Sequence, residues 1–407
     1  MSSTTVSNKS ASSQIIGLDA LRFFAAITVM IHHLTFMFWA NPDHHGTPTA
    51  NLFLIYFPLA PFSATGWIGV QIFFVISGFV IALTANGRSP IAFLKSRFLR
   101  LVPAVWICAT LSVPILFFGG QNLRLTLEQY IGSLLFAPNG PWVASSYWTL
   151  TLEIVFYAAI FVMLCLNQFK KADIFVYVLG SISTLVWCAY WIGVSIEPSL
   201  LSRVLLFPGN SRIGQLLLWQ HGCFFAIGTL VWLIMNRGLT RGRAIAALIF
   251  TTTGALQIAS EVTKAGAWTG YPETMGTPIL MWLGSVALLV LSIRFNDRIR
   301  AVVGDRSREI RTLGLATYPF YLLHQPVGFP IMFMLLTHGC PPALALVAGM
   351  AGVLAVAILV ASILEPWLRG IVSGKIDAIE SHLPLARLRS PTTTVPLAAA
   401  KATIEAA

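Results

Sequence analysis

The chain has 407 residues, of which 56% are hydrophobic and only 10% charged, with a mean hydropathy of +0.77. Average soluble domains carry about 25% charged residues, so this composition excludes a disordered chain, a nucleic-acid-binding domain and an ordinary cytosolic enzyme. The net charge of +11 suits a polytopic membrane protein whose cations gather in cytoplasmic loops, provided that is where they lie.

The first 14 residues are polar and Ser/Thr-rich and carry one cation, Lys9. The apolar stretch that follows is too long for a signal peptide and contains Arg22, His32 and His33, so it is expected to be a retained span. Runs close to the ~20 residues needed to cross the hydrocarbon then fall at 17–39, 64–84, 98–119, 145–166, 174–194, 215–236, 244–260, 276–294, 313–336 and 342–364. The fold class expected is therefore all-α: a polytopic membrane bundle of about ten transmembrane helices. Residues 1–14 form a polar cytoplasmic N-terminus, 15–366 the transmembrane domain, and 367–407 a basic, Pro/Thr/Ala-rich cytoplasmic tail expected to be disordered. No internal repeat is evident. The five cysteines are odd in number, lie mostly within apolar runs and form no C-x-x-C, which argues against a disulfide framework or metal knuckle.

Charge placement fixes the expected orientation. With the N-terminus inside, 21 of the 26 Lys and Arg residues sort to the cytoplasmic side, Arg124, Arg203, Arg212 and Lys264 lie outside, and Arg22 lies within the first span. Shifting the count by one span would scramble this asymmetry. Both termini are thus expected in the cytoplasm.

An ionisable side chain inside a bilayer costs at least a few kcal/mol and is a functional candidate by default. The first span reads GLDALRFFAAITVMIHHL. Arg22 and His33 are 11 residues apart, about 20° past three full turns, so both lie on one helix face about 16 Å apart; His32 is about 80° off that face. At the mouth of the third span, KSRFLRLVP places Arg97 and Arg100 on one face, a spacing suited to a phosphorylated ligand. The fourth span carries Glu153 about 12 Å below its start, at the expected depth of His33, so the two are candidates for a buried acid–imidazole pair. A helix-to-helix hydrogen bond or half of a proton relay are the alternatives. His221 opens the sixth span and His324 lies in the ninth. Ser77 and Gly78 read as close helix packing, and His44–His45 as solvated loop without metal-ligand companions.

Cytoplasmic arginines for phosphate and an outer-half His–Glu pair some 16 Å away match the shape of a CoA thioester. Its phosphates are joined to the acyl group by a long thin arm.

Across about residues 15–366 the chain resembles the acyltransferase-3 family of membrane O-acyltransferases. The resemblance rests on GLDALRFF with Arg22 and His33 as R-x10-H, FFVISGF at 73–79, RFLR at 97–100, W-T-L-x-x-E-x-x-F-Y at 148–157 and YPFYLLHQP at 318–326. Many relatives have a second Glu where this chain has Ile154. The resemblance implies that His33 is the catalytic histidine, Arg22 its required partner and Glu153 an active-site acid. It also implies that Arg97 and Arg100, with Arg22, bind acyl-CoA. His324 and Tyr157 are candidates for supporting positions around these groups. An esterase-like domain fused to some relatives is not seen, so the bundle is expected to complete transfer itself or hand on to another protein.

The expected activity is acyl transfer, foremost acetyl, from cytoplasmic acyl-CoA to a hydroxyl of a sugar in a surface polysaccharide or lipid-linked glycan. The setting expected is a bacterial plasma membrane, with membrane lipids as neighbours, without metal or nucleic acid, and with homo-oligomerisation left open. Two routes fit: His33 as general base, or as a nucleophile that carries the acyl group. The rival readings are a secondary transporter using the buried charges and a non-catalytic polysaccharide-export subunit.

Overall fold

A computed structural model describes residues 14–382, and the described residues are helical with no strand. Lys9 and most of the predicted N-terminus and tail, including Arg387, Arg389 and Lys401, lie outside the described residues. Among the described residues nine helices are long and apolar enough to cross a membrane. They are α1 (Ile16–Ala40), α2 (Pro48–Ala85), α3 (Pro90–Phe118), α5 (Ser145–Cys165), α6 (Phe169–Ser195), α9 (Arg241–Thr269), α10 (Gly276–Arg294), α11 (Asn296–Thr337) and α12 (Pro342–Glu380). A shorter apolar helix, α8 (Gly222–Arg237), matches the predicted sixth span. Between them lie α4 (Leu123–Leu134) and α7 (Leu200–Asn210), in segments expected as loops. Leu185, Leu248 and Leu280 are exposed, as apolar side chains facing lipid should be.

Several helices begin earlier than expected, at Pro48, Pro90 and Asn296, and three further boundaries differ for local reasons. The span expected at 215–236 begins only at Gly222, because Leu218 takes a positive φ of 58°. That turn is tied down by the Gln220 amide donating to the Pro208 and Ser211 carbonyls. The span expected at 244–260 belongs to a 29-residue helix, capped by Thr240 accepting from the Arg243 N–H. The predicted tail does not start at 367. The last helix runs on through Glu365–His382, with Arg369 donating to Glu365 one turn back.

Small residues set the bundle's centre. A Cβ at Gly78 would stand 2.2 Å from the Phe225 carbonyl oxygen, and one at Gly228 only 1.9 Å from that of Val75, so α2 and α8 touch backbone to backbone. Thr229 Oγ1 donates to the Gly78 carbonyl at 3.2 Å across the crossing. On its other side α2 lies against α1, where a Cβ at Gly66 would meet the Thr28 oxygen at 2.2 Å and one at Gly69 the Ala25 oxygen at 2.3 Å. Without a hydrophobic drive between helices in lipid, such close approach is the main source of association. The packing expected for Gly78 is what the structure contains.

Among the described residues three helices are interrupted by π turns, at His32–Phe36 in α1, His324–Gly328 in α11 and Val360–Leu364 in α12. Single π turns recur at functional sites because the extra residue redirects a side chain. The first two begin at a histidine, His32 and His324.

Candidate active site

Arg22, Arg97, Arg100, Glu153 and Tyr157 line one cavity of about 290 Å³, together with Arg311 and Arg369. Five arginines face two carboxylates there, Asp19 and Glu153. Asp19 is buried and holds Arg22 at 3.9 Å from the preceding turn, and it also accepts from Gln14 at 2.9 Å and Arg311 at 3.5 Å. Arg97 lies over the Phe93 and Tyr157 rings, 5.9 and 5.7 Å from their centroids, and Arg100 lies 5.4 Å over Tyr318. The ring contacts hold the guanidinium planes without consuming their hydrogen bonds. Arg97 Nε, Arg369 Nε and the Tyr318 hydroxyl are buried with no hydrogen-bond partner. Unmet donors cost about 1–3 kcal/mol each, so their convergence on one cavity points to an acceptor-rich ligand.

Glu153 belongs to this cationic cavity. Its Oε1 accepts from the Tyr157 hydroxyl at 2.7 Å and from Ser77 Oγ at 3.1 Å. The expected pair with His33 is not formed: among the described residues no hydrogen bond joins them. Matched depth in two spans says nothing of the direction in which each side chain leaves its helix. Ser77, expected only to pack, instead supplies one of the donors that hold Glu153.

His33 lines two other cavities, of about 480 and 390 Å³. Its Nδ1 is 2.9 Å from the Val29 carbonyl oxygen and 3.2 Å from His324 Nε2. His324, fully buried, points its Nδ1 at the Tyr321 carbonyl oxygen at 2.7 Å. A carbonyl only accepts, so neutral His324 carries its proton on Nδ1 and offers the Nε2 lone pair to His33. The Val29 carbonyl likewise assigns the His33 proton to Nδ1. That leaves the lone pair of His33 on Nε2, in the form a base requires. The orienting role expected of Glu153 is therefore filled by a backbone carbonyl and His324.

The arginine cavity and the 390 Å³ cavity have one wall residue in common, Val70. Tyr321 also walls the arginine cavity and is held by its hydroxyl near Thr149 Oγ1 at 3.2 Å. His33 itself does not line the arginine cavity. Among the described residues no group of three or more His, Cys, Asp or Glu converges as metal ligands would.

Sequence reasoning missed Arg311, Arg369 and Asp19. The two arginines sit at helix mouths, where cations set topology anyway, so nothing distinguishes them in the chain. Asp19 was legible, three residues before Arg22 on the same helix face.

The profile of a family described as an acyltransferase domain matches residues 15–362. The chain is 28% identical to BcsY of Komagataeibacter xylinus, named as a candidate membrane-bound transacylase, over 72% of this chain and 73% of that one. It is 40% identical to the exopolysaccharide production protein ExoZ of Rhizobium meliloti, over 23% of this chain and 32% of that one. To the peptidoglycan O-acetyltransferase OatA of Listeria monocytogenes it is 22% identical, over 76% of this chain and 49% of that protein. No solved structure matches.

Proposed function

The chain belongs to this membrane acyltransferase family, and from that premise we propose that it moves an acyl group, foremost acetyl, from acyl-CoA to a sugar hydroxyl. The observation that carries the donor assignment is the set of unpartnered Arg97, Arg369 and Tyr318 donors in a cavity with five arginines. Phosphate oxygens satisfy such donors, and guanidinium forks suit them geometrically. The arginines lie at the end of the bundle where the positive-inside count puts the cytoplasm, which is where CoA thioesters are available. The thin arm of the donor then runs along α1 and past Val70 toward His33. The acceptor enters from the opposite side. The names of relatives such as ExoZ and OatA support a polysaccharide or peptidoglycan as the acceptor.

In the reaction, His33 Nε2 takes the proton of the acceptor hydroxyl as its oxygen attacks the thioester carbonyl. The ester C–O bond forms, the C–S bond breaks, and the thiolate of CoA leaves with the proton that His33 took from the acceptor, which returns His33 to its neutral form. As His33 becomes cationic, its Nδ1–H is shared between the Val29 carbonyl and the His324 lone pair, which spreads the charge. Arg22 holds the donor from the same helix face.

The test is acyl transfer by the purified full chain in nanodiscs, with His33→Ala compared at equal folded protein. A loss of about 10²–10⁴-fold in turnover is expected for removal of a general base. Unchanged transfer by His33→Ala would sink the reading.

A further inference from the structure

The 390 Å³ cavity on the His33 side differs in chemistry from the arginine cavity. It is within the range of small-molecule pockets, about 300–1,000 Å³, and neither Lys nor Arg lines it. Trp67, Trp268 and Tyr271 contribute aromatic surface. Two buried polar side chains in its wall have unmet atoms. Gln71 is 4% exposed and its Oε1 has no partner; His221 is 3% exposed and neither ring nitrogen has one. Two carboxylates stand in the same wall: Glu261, paired with Lys264 at 3.4 Å, and Glu273, its two oxygens each 3.2 Å from the Trp67 indole N–H.

These groups define what fits. The absence of a lining cation excludes a phosphate. An organic cation would use only acceptors and aromatic faces, and would leave the N–H of neutral His221 unmet, since each neutral imidazole presents one donor and one acceptor. A neutral saccharide matches all of it. Its C–H face covers aromatic rings, and its hydroxyls both donate and accept. We infer that this cavity is the sugar subsite for the acceptor: a neutral saccharide ring lies against Trp67, Trp268 and Tyr271, exchanges hydrogen bonds with Gln71 and His221, and presents a hydroxyl to His33. The inference rests on the acyl-transfer reading above, and adds the residues that select the acceptor. Burial pushes the Glu273 carboxyl up to about 7, against the pull of the Trp67 N–H, so near neutral pH it offers either an acceptor or a donor to a hydroxyl.

The variants Gln71→Leu and His221→Phe remove the unmet atoms while keeping side-chain bulk, and neither breaks a hydrogen bond that those atoms make in the folded chain. Full-length protein in nanodiscs is titrated with maltotetraose, cellotetraose and chitotetraose, following tryptophan fluorescence, and in parallel acetyl transfer to the bound sugar is measured. At least one sugar should quench saturably in the wild type. Each variant should weaken that binding about tenfold, the effect of roughly one hydrogen bond, and raise the acceptor KM equally while leaving the KM for acetyl-CoA unchanged. Saturable binding that the variants weaken, in a protein that transfers no acetyl group, upholds the sugar subsite and sinks the acyl-transfer reading instead. Transfer that proceeds with acceptor KM and quenching unaltered in both variants overturns the subsite and leaves the acyl-transfer reading standing. No saturable quenching by any of the three sugars overturns it too. A variant that lowers thermal stability and shifts both KM values together identifies a structural role and counts against the proposal.

Discussion

His324 offers the sharpest test of how His33 is held. Replacing it with Phe removes the Nε2 lone pair that stands 3.2 Å from His33 Nδ1 while keeping a ring in a buried position. Before the proton moves, that contact is a bond between neutral groups, worth about 0.5–1.5 kcal/mol net; once His33 is cationic it is charge-assisted, worth about 1.5–3 kcal/mol. Only the difference, about 1–1.5 kcal/mol, acts on the transition state, so kcat should fall about tenfold. His324→Gln, whose amide oxygen can accept from His33, should recover most of it. The assay is release of CoA thiol by the full chain in nanodiscs at saturating acetyl-CoA and acceptor, normalised to folded protein. A fully active His324→Phe would refute the charge-sharing role. So would a folded His324→Gln as slow as the Phe variant. A loss beyond about a thousandfold in His324→Phe alone would move the base itself from His33 to His324.

Three further outcomes follow from the same geometry. Glu153→Gln keeps an oxygen to accept from Tyr157 and Ser77 but removes a charge from the cavity that five arginines line; the KM for acetyl-CoA should fall a few-fold with kcat reduced less than about tenfold, whereas a collapse of kcat would restore the acid–imidazole pair with His33. Arg311→Gln, at a half-exposed side chain in the arginine cavity, should raise the donor KM about tenfold at low salt and less at high salt, as expected of one screened charge-assisted contact; a salt-independent KM would show that Arg311 does not meet the donor. For Glu273 the raised carboxyl, about 7 against the 4.5 of an exposed group, means that the folded chain holds a proton the unfolded chain has lost between those pH values. Stability contributed by this group is therefore present below about pH 4.5 and lost as pH rises to about 7. Melting temperature followed across that window should fall less steeply in Glu273→Gln than in the wild type, and equal slopes would contradict the assignment.

The spans were readable because a helix that crosses lipid must bury its backbone polar groups within one long apolar run. The segments that escaped, Leu123–Leu134 and Leu200–Asn210, are short and carry polar or charged residues, and composition alone does not separate them from loops. Within the site, what depended on one helix was legible: 100° per residue put Arg22 and His33 on one face of α1. What depended on contact between helices was not. The partners of His33 and His324 are set by two π turns, and those residues are 291 apart in the chain. Glu153 and His33 were expected at one depth, but Glu153 leaves its helix toward Tyr157 and Ser77. Topology obscured Arg311 and Arg369, because the same cation at a helix mouth serves orientation and ligand binding alike.

On the acyl-transfer reading, the separation of the two chemistries constrains what the protein accepts. Arg22 and His33 are joined by about three turns of one helix, so the donor's phosphates and its reacting carbon must be about 16 Å apart. Between them stand Val70, common to both cavities, and Tyr321, whose hydroxyl is tied near Thr149 and whose ring packs edge-on to Phe73. A narrow flexible arm passes such a wall more readily than a bulky headgroup. A lipid-phosphate donor fails on length, because its reactive group lies next to its phosphate and would stop among the arginines, on the wrong side of Tyr321. The polar acceptor is held away from the guanidinium groups by the same wall, and no cation lines its cavity. The scarcity of charge that marks the whole chain is thus put to use within the site: five arginines gather in the donor cavity, and no Lys or Arg lines the cavity where His33 works.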